Sequence, residues 1–161
     1  MDYLYAPWRD EYINRGKVEC PFCYAVLNPK EDEQTEVLYR GKTCFLVMNK
    51  YPYTPGHFMV IPNLHVDNIE SLDSDIWLEM SILVQKSVKM LKADFGAKAV
   101  NIGMNLGADA GAGIAEHVHY HIVPRWNKDS NFITAIANTR VYSTDFKKIY
   151  KRLKILIEKS F

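Results

Sequence analysis

The sequence has no apolar run approaching the ~20 residues that a membrane-spanning helix needs, so no membrane partner is expected. It also has no block of like charge. Twenty Lys and Arg stand against 19 Asp and Glu, and a net charge of +1 does not supply the basic face that a nucleic-acid backbone requires. A small anionic ligand held by a few local groups is compatible with that balance. The opening stretch, Met1-Asp-Tyr-Leu-Tyr-Ala-Pro-Trp-Arg9, lacks a basic segment leading into an apolar one, so no signal peptide is expected. Three cysteines do not make a secreted disulfide framework, and the reading is a cytoplasmic protein. Repeats and low-complexity tracts are absent, and no Gly-Lys-Ser/Thr follows a glycine loop, which excludes a Walker-type phosphate site.

The 161 residues, 48% of them apolar, suit a single domain with a proper core. Val37–Arg40 and Thr43–Asn49 flank the turn-like pair Gly41-Lys42 and predict an antiparallel hairpin. His57–Ile61 reads as a further strand stopped by Pro62, and Val100–Leu106 as another. A helix is predicted from a cap at Asp73 to about Phe95, with Gly96 as its stop, and a last helix from near Thr144 to Lys159. That order predicts an α+β fold with a mainly antiparallel sheet and two principal helices. Residues 1–36 form an N-terminal arm, 37–126 the core and 127–161 a C-terminal segment. The aromatics of residues 1–19 suit packing on the domain or a partner subunit, or stacking on a base. Cys44 reads as a small buried residue.

Two motifs carry chemistry. In Glu116-His117-Val118-His119-Tyr120-His121-Ile122, three histidines alternate with apolar or aromatic residues. Alternation is the strand period, so the imidazoles share one face and Val118, Tyr120 and Ile122 cover the core from the other. The strand should end near Pro124, which cannot donate to a ladder. Such a row can be structural, can bind zinc through three histidines, or can do phosphate chemistry, one neutral imidazole attacking while others donate to phosphate oxygens. The preceding loop, with Gly107, Gly111 and Gly113, offers either a nest of backbone amides for an anion or a flexible connection. Cys20-Pro-Phe-Cys23 can chelate a metal, form a redox pair or stand unliganded, and His57, His65, the histidine row and Cys44 are the candidates for completing a zinc site.

The run His117-Val-His119-Tyr-His121-Ile-Val resembles the signature of the histidine-triad nucleotide hydrolases and transferases. The resemblance extends to Asn49-Lys-Tyr-Pro-Tyr-Thr-Pro-Gly-His57, to Asn105-Leu-Gly107, and to the bacterial diadenosine tetraphosphate phosphorylase-like branch through Ala6-Pro-Trp-Arg9, Pro124-Arg-Trp126 and Asn131-Phe-Ile133. It implies the histidine-triad fold and a homodimer with sheets continuing across the interface. It implies that His119 attacks an α-phosphorus to give a nucleotidyl-histidine, that His121 and His57 donate to phosphate oxygens, and that Asn49 binds ribose hydroxyls. Asn105 falls at a phosphate-contacting position, though a strand-end cap is an equal use for it. The implied metal is a structural zinc on Cys20, Cys23, His65 and His117, with no organic cofactor and magnesium only as a companion of the substrate. The implied substrate is an adenine dinucleoside polyphosphate, cleaved by water or by inorganic phosphate. Adenylyl phosphoramidate or acyl adenylate hydrolysis, and a nucleotide-sensing module with vestigial catalysis, are the other readings. One departure stands out. The family usually places Ser, Thr or Gln just before the triad, and here Gly111-Ala-Gly113-Ile-Ala-Glu116 provides none.

Overall fold

The computed structural model describes residues 20–127, 129, 132–137 and 144–161, and the side chains of 132, 133 and 135 are outside that description. The Ala6-Pro7-Trp8-Arg9 stretch and Asn131 therefore lie outside the described residues. In chain order the elements are helix α1 (Pro21–Leu27), strands β1 (Val37–Arg40), β2 (Cys44–Met48) and β3 (Phe58–Pro62), helix α2 (Ser74–Met90), β4 (Ala99–Gly103), β5 (Tyr120–Arg125), and helices α3 (Phe132–Ala137) and α4 (Phe146–Ser160). The five strands form one antiparallel sheet in the order β1-β2-β3-β5-β4. No helix among the described residues is long and apolar enough to cross a membrane.

The expected hairpin is present, with Arg40 opposite Phe45 and Val37 opposite Val47 around a bulge. Its turn is clamped from outside. The Glu79 carboxylate on α2 accepts from the Lys42 and Thr43 amides at 2.7 and 2.8 Å and from the Thr43 hydroxyl. Strands β2 and β3 are buried on both faces, which explains their near-continuous apolar runs. On one face Leu46, Met48, Phe58, Val60 and Ile122 meet Met80, Leu83, Leu153 and Ile157 of α2 and α4. On the other, Phe45, Val47, Met59 and Ile61 meet Phe22 and Ala25 of α1. Truncating a fully buried residue such as Leu153 or Ile157 to alanine removes about 2–5 kcal/mol.

Several boundaries differ from the sequence reading. The α2 hydrogen bonding ends at Met90 and continues as a π-turn (Leu91–Phe95) before Gly96, left-handed as expected. Asp73 occupies the cap position, but its side chain makes no cap bond. Strand β4 stops at Gly103 rather than Leu106. Strand β3 includes Pro62, opposite Cys44. The largest correction concerns the histidine strand, which begins at Tyr120 and runs through Pro124 to Arg125. Pro124 is tolerated because β3 pairs only as far as Ile122, and beyond it the Thr54 hydroxyl donates to the Pro124 carbonyl at 2.7 Å. The lost N–H therefore falls where no strand waits for it. His117 and His119 lie in the extended lead-in, where the Val118 amide donates to Val66 O at 2.7 Å.

Gly56, next to His57, has φ +88, and a Cβ there would lie 2.6 Å from Phe95 Cε1 and 3.3 Å from Pro124 Cγ. Phe95 is wedged between Trp126 and Arg152, so it cannot yield cheaply. Gly56→Ala should therefore combine left-handed strain with overpacking and cost about 2–5 kcal/mol. Gly96→Ala, at φ +87 with nothing within 4 Å, should lose about 1 kcal/mol from backbone strain alone. Thermal unfolding of the two variants checks the contrast.

Candidate active site and adjoining metal cluster

The imidazoles are connected by hydrogen bonds that fix where each proton sits. His119 Nδ1–H donates to its neighbour's backbone, His117 O, at 2.8 Å, which leaves His119 Nε2 as a bare lone pair. The Tyr53 amide donates to His57 Nδ1 at 3.1 Å, so the His57 proton is on Nε2. That Nε2–H donates to His121 Nδ1 at 3.0 Å, which in turn places the His121 proton on its outer Nε2. A rigid backbone amide thus sets a chain Tyr53 → His57 → His121 that ends in a single outward donor. The His119 and His121 rings meet edge to face, 4.8 Å between centroids. The bare His119 nitrogen and the His121 donor thus belong to adjacent rings.

Burial keeps these rings neutral. Desolvation, with His121 and His119 adding to it, pulls His57 down to about 3, and desolvation with His119 pulls His121 down to about 4. His119 is also lowered by burial, with the His117 carbonyl bond opposing. The site therefore carries no histidine charge near neutral pH and presents its one outward donor as a neutral N–H.

A second cluster adjoins it. Donor atoms of Cys20, Cys23, His65 and His117 all lie within 4.8 Å of one another. His117 Nε2–H donates to Pro62 O at 2.9 Å, which turns the bare Nδ1 toward Cys20 Sγ at 3.4 Å and Cys23 Sγ at 3.8 Å. Cys23 Sγ is 3.1 Å from His65 Nδ1. A tetrahedral zinc with ordinary bond lengths has S···N edges of about 3.5 Å, so the four groups fit a closed Cys₂His₂ set. Between the clusters sits Phe22, 5% exposed, edge-on to both His117 and His119 at 5.3 Å.

The other predicted residues are divided by the structure. Asn49 accepts from the Tyr51 amide at 2.8 Å and holds its amide nitrogen 3.4 Å from His57 Nε2. Asn105 lines a cavity of about 370 Å³ that starts at His121. Gly107, Gly111 and Gly113 are not among that cavity's lining residues. The Gly111 amide is spent on Ala108 O and the Ala112 amide on Gly107 O, so these two amides close a turn within the loop. Sequence reasoning passed over Tyr53, Phe22 and Arg125. Alternation from His121 places Arg125 on the triad face, so that residue was legible; Tyr53 and Phe22 arrive from loop and arm, with no local period to announce them.

The neutral rings imply a pH dependence of known sign. Unfolded imidazoles titrate near 6.5, and folded His57 and His121 near 3 and 4. Below about pH 6.5 the unfolded chain binds protons that the folded chain refuses, so stability is intact above that value and falls as pH drops toward 4. Denaturant unfolding at pH 7 and pH 5 should show the loss. Ring ¹⁵N NMR at pH 5 should still show His57 neutral with its proton on Nε2.

Comparison with known proteins agrees with this geometry. A family model described as "HIT domain" matches residues 30–128. The chain is 43% identical over 151 residues to a Mycobacterium tuberculosis protein named AP-4-A phosphorylase, covering 88% of this chain and 76% of that one. Among solved structures, a Zn-bound histidine triad family protein from Mycobacterium smegmatis superposes with TM-score 0.68 at 23% identity, covering 89% and 96% of the two chains. A hypothetical histidine triad nucleotide-binding protein from Sulfolobus tokodaii superposes with TM-score 0.67 at 26% identity, covering 87% and 93%. With a family model matched over more than half of its length and a relative 43% identical over most of it, the chain belongs to the histidine-triad (HIT) family.

Proposed function

We propose that the protein is a nucleotidyl transferase that cleaves diadenosine tetraphosphate by phosphorolysis. The observation that carries this reading is the pairing of a bare His119 Nε2 with the His121 Nε2–H beside it. His119 Nε2 attacks the α-phosphorus; a P–N bond forms, the bond to the bridging oxygen breaks, and ATP leaves. The departing oxygen carries the electron pair as an anion, so it needs a preorganised donor rather than a strong acid, and a neutral His121 held by His57 is that donor. Inorganic phosphate then attacks the adenylyl-histidine, giving ADP and restoring the imidazole. Phosphate rather than water as second nucleophile follows the naming of the 43%-identical relative. Asn49, close to His57 and Met59, would bind the ribose, and Asn105 a phosphate oxygen.

Incubation with diadenosine tetraphosphate, followed by intact-mass measurement and product analysis, tests this. An adenylyl adduct on His119 is expected, with ADP and ATP when phosphate is present. His119→Asn should lower turnover by about 10³-fold or more with nucleotide binding retained. Equal turnover by wild type and variant would overturn the reading, and AMP in place of ADP would make the enzyme a hydrolase.

Cys20, Cys23, His65 and His117 would hold a zinc, which when bound ties the arm to the triad segment and leaves no open position for chemistry. The Zn-bound relative from M. smegmatis supports that identity of the metal. The protein would pair through β4, an edge strand of the sheet whose residues are mostly exposed and whose Ile102 is 54% exposed. Native mass spectrometry reads both proposals at once: two chains carrying two zinc ions are expected. Cys20→Ser should lose the metal and unfold at lower temperature.

A further inference from the structure

The triad offers one outward N–H, on His121 Nε2, yet the proposed substrate carries a string of phosphates. The cavity that starts at His121 runs along β5 and β4, and of its lining residues only Arg125 is formally charged. Strand alternation puts His121, Val123 and Arg125 on one face, with Asn101 and Gly103 beside them on β4. From His121 to Arg125 is four residues, roughly 13 Å of strand, too far for an oxygen on the attacked phosphorus but within reach of phosphates further along the chain.

The two ends of the site differ in chemistry. On the His119 side stands Phe22, an apolar ring 5.3 Å from the imidazole and suited to a nucleoside. On the His121 side are Arg125, Asn101 and the Tyr53 ring, half exposed and tilted 30° over His121 at 5.8 Å. In-line displacement puts the leaving oxygen opposite the attacking nitrogen, and His121 offers the donor for it. The Arg125 guanidinium is also held ready. Nε and Nη2 grip Asp129 at 2.6 and 3.2 Å, and Nη1 grips Asn101 Oδ1 at 3.0 Å. These bonds use three of its five N–H donors and leave one on each terminal nitrogen.

We infer that Arg125, oriented by Asp129 and Asn101, forms a subsite for the distal phosphates of the leaving nucleoside polyphosphate, with the β4–β5 groove as its path from His121. Arg125 is then the residue that makes a polyphosphate a better leaving partner than a small neutral group. This rests on the nucleotidyl-transfer reading of the same triad.

Two measurements test it. The first compares kcat/KM for diadenosine tetraphosphate with that for an adenylyl phosphoramidate, whose leaving group has no distal phosphate. In Arg125→Ala the ratio of the two should fall about tenfold or more, with partial recovery in Arg125→Lys. An unchanged ratio, both substrates losing equally, would overturn the subsite. The second titrates inorganic tripolyphosphate calorimetrically into the metal-loaded protein, after thermal unfolding shows that both variants are folded. Tenfold weaker binding in Arg125→Ala is expected, and equal affinity would overturn the subsite even if no nucleotide is turned over. Failure of the wild type to form an adduct or product on either substrate is the separate failure of the triad reading.

Discussion

The hydrogen bond from His119 Nδ1–H to the His117 carbonyl is the constraint on which the site depends. A neutral imidazole has one proton and two places to put it. Left to solvent, either tautomer forms; held against a backbone carbonyl two residues back, the proton is committed and the other nitrogen keeps its lone pair free. The acceptor belongs to a residue that is itself fixed twice, by its ring bond to Pro62 O and by its place in the Cys₂His₂ cluster. His119 and the Cys₂His₂ cluster are therefore neighbours in covalent structure as well as in space, and Phe22 closes the gap between them.

A second consequence follows from burial. Placing four histidines in or beside a core costs solvation for every charged form, so the rings give up charge and serve as donors and acceptors of fixed direction. A charged imidazole would bind a phosphate more strongly in the ground state. A neutral donor whose direction is set by a backbone amide favours the charge that develops as the bond breaks. Positive charge is then displaced to the rim of the groove, where Arg125 is partly solvated and locked by Asp129.

The remainder of the fold is a support for these few atoms. Strands β2 and β3 are sandwiched between the α2–α4 layer and α1, so β3, which leads out of His57, is rigid. Gly56, under the Phe95 ring, lets the chain turn into His57 where any side chain would collide. Glu79 clamps the hairpin turn to α2, and Arg40 reaches from β1 to Asp32 and to the Ala25 carbonyl at 2.7 Å, holding α1 against the sheet.

The sequence by itself determined the α+β class, the hairpin, the two long helices, and the alternation that brings His121 to the triad face, because these rest on local periods and turn residues. Histidine spacing, with Cys20-x-x-Cys23 and its resemblance to a known family, named the members of both clusters, and the structure brings Cys20, Cys23, His65 and His117 together as that resemblance implied. Tertiary structure decided the rest. Which nitrogen of each imidazole is bare depends on carbonyls and amides that arrive from Pro62, Tyr53 and the segment before β5. The passage of β5 through Pro124 depends on how short its neighbour β3 is, a fact written in another part of the chain. The glycine loop was ambiguous in sequence because glycine permits both an anion-binding nest and a flexible connection, and the folded loop closes on itself at the Gly111 and Ala112 amides. Local sequence fixes periodicity; proton positions are set by partners distant in sequence, and only the folded chain brings those partners into place.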